Sequence, residues 1–470
     1  MRIVSQKDID RFLSYLDRRE MNMHSILIWQ NGKMLREEYY APFTKDMTHR
    51  MYSVTKSFVS IAVGCLVGDG KIGLDDPIVK YFPDKLPEEL PREMREQTVR
   101  NMLEMRTCLS GVNWFRPGVT DRLAYYFSQK PVRPAGTLFD YDSTGSYVLG
   151  CLAERVSGMP LLDFMKQRFL NEIGGFENAR ILATPDGTPW GDSAMICTPR
   201  ALMNFALLVK NGGEWNGKQL LPKDYVEMAT TRRSDNDLEG TEANKHHGYG
   251  WQFWMEEDGG WRMDGMGAQF AVCLPKDDLV IVTTGDLQYD SMGTAKLLRF
   301  IQDVLLNGYA EEPHEVKREI RAAAGERSSP MEREINGAVF KCEENDMGIK
   351  DISFLFDEDG LTLRYTNAQG EKELRAGRGR NKESLFPEYG YSSDRGNVHE
   401  MTDFRYRCQT SFAWRDSDKL RVLVQITDDY FGSCVMTFGF RDKDTLGIRM
   451  VSVAEDFLQT YRGWGNARRA

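Results

Sequence analysis

A chain of 470 residues is too long for one ordinary hydrophobic core, so two or three domains are expected. With 41% hydrophobic and 28% charged residues, the composition is that of a soluble globular protein and excludes a disordered or membrane-spanning chain. The formal charge of −9 argues against nucleic acid or an anionic membrane as partner, because no dense Lys/Arg stripe offsets it.

The N-terminal part of the chain predicts a helix, a hairpin and a second helix. An amphipathic helix is expected over residues 7–18, and this segment lacks the uninterrupted apolar core of a secretion signal. In SILIWQNGKMLREEYY, two β-rich runs flank Asn31-Gly32, the strongest short signal for a β-hairpin. The next helix, over about residues 54–67, includes an apolar run at 58–68 that is too short for a membrane span and indicates burial.

A helical middle separates these elements from a second β-rich region. The pattern is helical from about residue 77 to 212, interrupted by the Pro/Gly-rich QKPVRPAGTLFDYDSTGS. Consecutive antiparallel strands are expected from YGWQFWM to DLVIVTTGD, and a helix over residues 292–308 follows. This order predicts an α+β domain whose antiparallel sheet is assembled from both ends, with a helical subdomain inserted.

A change in composition divides the chain near residue 310. Residues 311–330 are charged and poor in large apolar side chains, which indicates a linker. Beyond it, short alternating runs from AVFKC to GIRMVSV predict an all-β domain, either a small barrel or a sandwich. We therefore expect a first domain over residues 1–310, a linker over 311–330 and a β-rich domain over 331–470.

Neither a cofactor nor a metal is predicted. The eight cysteines are far apart and form no CxxC pair, which favours structural free thiols in a reducing compartment. Together with the absence of a secretion signal, this predicts a cytoplasmic protein. The sequence contains no zinc-binding histidine pattern, no Walker loop and no dinucleotide-binding glycine motif in a βαβ context.

The stretch MYSVTKSFVS places Ser53 and Lys56 at the start of the helix that is expected to be buried. One interpretation is an ordinary helix cap and a surface cation. The other is a nucleophile and its base, because residues i and i+3 lie on one face of a helix and the amine can reach the hydroxyl. Desolvation favours the neutral form of a lysine, and the N–H groups of a helix N-terminus suit an oxyanion. The pair alone leaves both interpretations open.

Two further motifs extend the catalytic interpretation. Tyr141 lies in a Pro/Gly-rich turn before an apolar helical run, where its hydroxyl could relay protons between Lys56, Ser53 and a leaving group. The alternative is a buried aromatic ring with a satisfied hydroxyl. Gly265 and Gly267 open a strand whose backbone can approach a ligand and complete an oxyanion hole, unless they form a plain turn.

In this order, Ser-x-x-Lys, Tyr-x-Ser and the glycine-rich strand resemble the serine β-lactamase-like superfamily, especially class C-type β-lactamases, esterases and penicillin-binding proteins. DGKIGLDDPIVKYFP and GMGAQFAVCLPKDDLVIVTTG are also similar to that family, and the resemblance covers about residues 20–305. It implies a β-lactamase/transpeptidase-like fold, an acylated Ser53, Lys56 as its base and Tyr141 as the second proton-transfer residue. It also implies an oxyanion hole formed by the N–H of Ser53 and one from residues 265–267.

Two departures from the family pattern bear on the substrate. Where β-lactamases have Tyr-Ser-Asn, this chain has Tyr-Asp-Ser at 141–143, so Ser143 replaces the amide that holds an acylamino side chain. Where they have Lys-Thr-Gly, the alignment gives Met-Asp-Gly at 263–265, so the carboxylate of Asp264 replaces a cation. The resemblance then implies an esterase or amidase acting on a neutral or cationic small molecule. Ser143, Asp264, Gly265 and Gly267 are its candidate substrate-binding residues.

Aromatic side chains are further candidates for the substrate site. Trp114 is expected to contact the substrate. An apolar pocket or the ordinary core would equally accommodate several other rings; these are Phe115, Trp251, Phe253 and Trp261.

The sequence also leaves other functions open. Within the same superfamily the alternative is a β-lactamase or D-amino-acid peptidase, and outside catalysis it is a sensor that has kept the fold. Retention of Ser53, Lys56 and Tyr141 together argues against a sensor. A third hypothesis centres on the β-rich domain, as a lid or as the contact of a homo-oligomer.

Overall fold

A computed structural model of the protein describes residues 1–114, 118–184, 186–236, 247–309, 311–389, 405–454 and 461–470. These residues form two compact units, which we describe separately. The first comprises the described parts of Met1–Gly285 and Met292–Arg318, and the second comprises Asp286–Ser291 and the described residues from 319 onward. Of the predicted linker, residues 311–318 belong to the first unit and 319–330 to the second.

Long helices and short helical turns surround one main sheet in the first unit. Its helices are α1 (Gln6–Arg18), α2 (Thr55–Gly68), α3 (Arg92–Glu96), α4 (Val99–Leu103), α5 (Arg122–Phe127), α6 (Ser143–Ser157), α7 (Leu161–Met165), α8 (Asn171–Ile173), α9 (Pro199–Lys210), α10 (Lys223–Ala229) and α11 (Gly293–Phe300). Its strands are β1 (Met23–Gln30), β2 (Lys33–Tyr39), β3 (His49–Arg50), β4 (Arg180–Ile181), β5 (Met195–Cys197), β6 (Glu214–Trp215), β7 (Lys218–Gln219), β8 (Trp254–Met255), β9 (Trp261–Gly265), β10 (Gln269–Leu274) and β11 (Leu279–Gly285).

The main sheet is antiparallel and draws its strands from both ends of the unit, as the sequence predicts. Its strand order is β2-β1-β11-β10-β9-β8. The hairpin between β1 and β2 turns at Asn31 and Gly32, whose φ angles of +50° and +77° are those of the tight turn that matches the twist of the flanking strands. The first unit also contains the short strands β3 to β7, which the sequence pattern does not predict because each has only two or three residues.

Helix α2 lies in the core of the first unit because it is apolar on all sides. Every residue from Thr55 to Leu66 is buried. Gly64 allows close packing, since a Cβ at that position would lie 2.4 Å from the Cδ1 atom of Tyr225 in α10. The 3₁₀ turn Tyr52–Val54, which directly precedes α2, is therefore anchored to the most buried helix of the unit.

The second unit is a closed β-barrel, which decides between the barrel and the sandwich. It contains one short helix, α12 (Met331–Ile335), and the strands β12 (Val339–Cys342), β13 (Asp351–Phe356), β14 (Gly360–Asn367), β15 (Gly370–Arg378), β16 (Lys382–Tyr389), β17 (Arg405–Asp416), β18 (Lys419–Thr427), β19 (Phe431–Asp442), β20 (Thr445–Ala454) and β21 (Gly463–Arg469). Nine strands follow one another in the order β15-β14-β13-β12-β21-β20-β19-β18-β17, and parallel pairing of β15 with β17 closes the ring. Strand β16 pairs with β17 beside that closure.

Within the described ranges, no helix has both the length and the apolar character needed to cross a lipid bilayer.

Candidate active site

Ser53 lies in the 3₁₀ turn between β3 and α2, where it is partly buried. The residue before it, Tyr52, has a φ of +48°, a left-handed conformation that is costly for a residue with a Cβ. Along the chain, one residue separates strand β3 from this turn, and helix α2 follows the turn directly. Ser53 therefore lies directly before the N-terminus of α2, and most of that helix is buried in the core.

Lys56 is fully enclosed, with 1% of its surface exposed. Its Nζ donates a hydrogen bond to Ser53 Oγ at 2.9 Å and another to the backbone carbonyl of Asp192 at 2.8 Å. The spacing of three residues on a helix therefore brings the amine to the hydroxyl, as the sequence predicts. A buried amine that contacts a serine hydroxyl is the arrangement that can activate an oxygen nucleophile.

A buried aspartate, not singled out from the sequence, supplies that carbonyl. The side chain of Asp192 is 4% exposed, and its Oδ1 atom has no hydrogen-bond partner among the described residues. Burial raises the pKa of this carboxyl, while the charges of Lys56, Arg122 and Arg50 act in the opposite direction. The carboxyl of Asp192 is thus under the influence of three basic side chains, one of which contacts Ser53.

The ring face of Tyr141 lies toward the amine of Lys56. The Nζ atom of Lys56 lies 5.1 Å from the ring centroid. The ring stacks on Trp254, with centroids 5.3 Å apart and an interplanar angle of 27°, and meets Tyr249 edge-on at 6.3 Å. Tyr141 and Trp254 both pack against a small buried cluster that includes Phe139 and Tyr249.

The two residues after Tyr141 start helix α6. Asp142 caps the helix by accepting a hydrogen bond from the backbone N–H of Thr144 at 2.8 Å, and it accepts another from the hydroxyl of Thr107 at 2.9 Å. Burial raises the pKa of this carboxyl, against the effect of those hydrogen bonds. Ser143, the first residue of the helix, is partly buried. Asp142, which lies between the candidates Tyr141 and Ser143, therefore has a structural role as the cap of α6.

Strand β9 lies directly against the turn that carries the serine. A Cβ at Gly265 would be 2.3 Å from the carbonyl oxygen of Met51, so only glycine allows this approach. Gly267 has a φ of +81° and lies in the loop between β9 and β10. The side chain of Gln269 holds this loop by donating to the carbonyls of Met266 and Gly285, at 3.0 and 2.7 Å.

Asp264 accepts a hydrogen bond from Arg262 Nε at 2.9 Å, and its side chain is 20% exposed. The guanidinium of Arg262 is completely buried and also forms an ion pair with Glu256. Burial alone would lower the pKa of Arg262, but the charges of Glu256 and Asp264 raise it above its ordinary value. The sequence identifies Asp264 but not the arginine that bonds to it.

The aromatic candidates that the structure describes are buried in the hydrophobic core. Trp114 is 3% exposed and packs edge-on against Tyr147 at 4.8 Å, while the Arg122 guanidinium lies 5.1 Å from its ring. Trp251, Phe253 and Trp261 are buried in the main hydrophobic cluster, and Phe115 lies outside the described residues. The role of Trp114 in substrate binding stays a prediction.

Comparison with known proteins assigns the fold and its class. A family model described as Beta-lactamase matches residues 13–305, which is more than half of the chain. The chain therefore belongs to the β-lactamase family of serine hydrolases. It is 24% identical over 278 residues to the 6-aminohexanoate-dimer hydrolase of Paenarthrobacter ureafaciens, an alignment that spans 55% of this chain and 71% of that protein.

Solved structures show the same fold at lower identity. The octameric penicillin-binding protein homologue from Pyrococcus abyssi is 15% identical with a TM-score of 0.51, and the match covers 98% of this chain and all of that one. EstCE1, a hydrolase with promiscuous acyltransferase activity, is 15% identical with a TM-score of 0.52 and covers 64% of this chain and 99% of its own. The predicted resemblance to β-lactamase-like and penicillin-binding proteins is thereby confirmed.

Proposed function

We propose that the protein hydrolyses a small ester or amide through an acyl-enzyme on Ser53. The observation that carries this proposal is the hydrogen bond between Ser53 Oγ and the buried Nζ of Lys56. In its neutral form, Lys56 takes the hydroxyl proton while the Ser53 oxygen forms a bond to the carbonyl carbon of the substrate. The carbonyl electron pair moves onto its oxygen, and a tetrahedral intermediate results.

The oxyanion of that intermediate is bound by backbone donors in this proposal. One donor is the N–H of Ser53, and the other comes from residues 265–267, whose strand lies against the carbonyl of Met51. When the intermediate collapses, the bond to the leaving oxygen or nitrogen breaks, Tyr141 donates its hydroxyl proton to the leaving group, and the proton held by Lys56 passes to Tyr141. The same tyrosine then assists a water molecule in hydrolysing the acyl-enzyme.

The charge at the edge of the site favours a neutral or cationic substrate. Glu256 and Asp264 share the single guanidinium of Arg262, so this group of three side chains has a net charge of about −1 with all three ionised. Asp264 is the most exposed of the three. A substrate carboxylate would be repelled there, whereas an amine would be attracted. The relative named 6-aminohexanoate-dimer hydrolase supports the hydrolysis of a small molecule by this chain.

A covalent label tests the nucleophile. The protein is incubated with a fluorophosphonate or a p-nitrophenyl ester and analysed by intact mass, with Ser53→Ala as the matched control. We expect one adduct in the parent and none in the variant, and a loss of turnover in Lys56→Ala. Labelling that persists in Ser53→Ala would remove the nucleophile assignment. Complete inertness toward acyl donors would favour a non-catalytic sensor.

We also propose that the protein is cytoplasmic and forms a homo-oligomer. All eight cysteines are free thiols, which fits a reducing compartment such as the cytoplasm. The octameric relative supports a homo-oligomer for this chain as well. Light scattering after size-exclusion chromatography measures this directly, and a monomer at micromolar concentration would contradict it.

A further inference from the structure

Tyr141 must be held in place by something other than its own helix. It lies two positions before Ser143, the first residue of α6, so it belongs to the loop and not to the helix. A proton-transfer group is useful only when its hydroxyl stays within a fraction of an ångström of the productive position. Its ring stacks on Trp254, and this contact restrains the plane of the ring.

The register of the edge strands explains why Trp254 is available for this contact. Trp254 in β8 pairs directly with Arg262 in β9, and directly paired residues project from the same face of a sheet. Asp264 lies two residues further along β9 and therefore shares that face, whereas Glu256 follows the last residue of β8 and contacts Arg262 through an ion pair. Strand pairing and these ion pairs thus place an aromatic ring, a cation and two anions side by side.

These four side chains form one connected assembly that ends at the catalytic pair. Arg262 is 0% exposed, forms ion pairs with Glu256 and Asp264, and has its Cζ atom 5.5 Å from the Trp254 ring centroid. Trp254 stacks on Tyr141, and the Tyr141 ring lies 5.1 Å from the Nζ of Lys56. Cation–π and stacking contacts of this kind each contribute about 1 kcal/mol and, more importantly, restrict orientation.

A buried arginine with two carboxylates is weak evidence for stability, because well-packed apolar residues usually stabilise as much. What such a group fixes is geometry. The geometry points to Trp254 and Arg262 as positioning residues for Tyr141: the guanidinium, clamped by two carboxylates, orients the indole, and the indole orients the phenol. This inference rests on the proposed function, in which Tyr141 protonates the leaving group.

The test uses two esters with the same acyl group, a p-nitrophenyl ester and an alkyl ester. The p-nitrophenolate departs without a proton, whereas the alkoxide needs one. In Trp254→Ala, we expect kcat/KM for the alkyl ester to fall about 10- to 100-fold, because general acid catalysis contributes about 10²–10⁴. The p-nitrophenyl ester should lose less than about threefold. Trp254→Phe retains a stacking ring and should restore most of the alkyl-ester activity.

Two further variants separate positioning from general structural damage. In the double variant Trp254→Ala/Tyr141→Phe, the loss for the alkyl ester should equal that of Tyr141→Phe alone, because both changes remove one function. Arg262→Lys, which cannot bridge both carboxylates in the same way, should show the same leaving-group dependence as Trp254→Ala. The matched control is Trp464→Ala, which removes an exposed tryptophan that pairs across strands with Arg449 in the second unit and should leave both rates unchanged.

Equal losses for both esters in Trp254→Ala, or losses that add to those of Tyr141→Phe, would overturn the positioning role. A parental alkyl-ester rate in Trp254→Ala would overturn it as well. Failure of the parent protein to turn over or be labelled by either ester would instead overturn the proposed function, and the inference with it. The parental measurement therefore tells the two failures apart.

Discussion

Gly265→Ala is expected to lower both kcat/KM and the unfolding free energy, because the added methyl group meets the backbone next to the turn that contains Ser53. A Cβ at this position would lie 2.3 Å from the Met51 carbonyl oxygen and 3.1 Å from the Cβ of Gln269. Ordinary contacts of this kind begin at about 3.4 Å, so β9 and the serine turn must move apart by about 1 Å. Such overpacking costs about 1–3 kcal/mol of unfolding free energy. A misplacement of about 1 Å at a reacting centre costs about 100-fold in rate.

The measurement compares kcat/KM for a p-nitrophenyl ester with the unfolding free energy from urea titration. Gly439→Ala is the matched control, since Gly439 lies in β19 of the second unit and a Cβ there meets nothing within 4 Å. We expect the control to keep its activity. A Gly265→Ala protein with parental activity and parental stability would refute the argument, because it would show that strand β9 does not lie against the turn that carries Ser53.

Three further outcomes are expected. His49 is buried and its pKa is lowered to about 4 by burial, so the folded state binds fewer protons than the unfolded state below about pH 6.5. Stability should therefore fall by about 3 kcal/mol between pH 6.5 and pH 4, and urea titrations of His49→Phe should show a smaller fall. Asp286 has the opposite sign, because burial raises its pKa to about 6 and the stability it contributes below pH 4 is lost as the pH rises through 6. Asp286→Asn should raise the unfolding free energy at pH 7 by up to about 3 kcal/mol, since an amide oxygen can still accept the hydrogen bond from Ser433; an unchanged urea midpoint would contradict the burial argument. Asp192→Asn removes the negative charge that acts on Lys56, Arg122 and Arg50 near Ser53, so kcat/KM for a p-nitrophenyl ester should fall about 10-fold, and a parental rate would exclude a role for this charge.

Features that depend on neighbouring residues could be predicted from the sequence. Asn31-Gly32 defines the hairpin because few other residue pairs accept two left-handed conformations. The pairing of Ser53 with Lys56 follows from helical spacing alone. The buried helix α2 follows from its composition, and the β-rich second half follows from alternation.

Features that depend on distant residues could not be predicted in the same way. The carbonyl that holds Lys56 is 136 positions away, at Asp192, and no local pattern marks it. Arg262 and Trp254 become partners only when the register of β8 and β9 is known. The choice between barrel and sandwich depends on the pairing of Gly377 and Arg378 with β17, a contact that alternation within single strands does not specify.

The way the main sheet is assembled has a consequence for protein synthesis. Ser25 in β1 and Thr284 in β11 share a hydrogen bond of 2.7 Å although they are 259 positions apart. Ser53 and Lys56 therefore leave the ribosome long before β9 and β11 are synthesised. Until then the sheet of the nascent chain is incomplete and has an unpaired edge. A message truncated before β8 would encode Ser53 and Lys56, the proposed nucleophile and base, without Trp254 or the glycine strand β9. Partial products of translation should thus be prone to aggregate, and the proposed activity would require completion of the whole first unit.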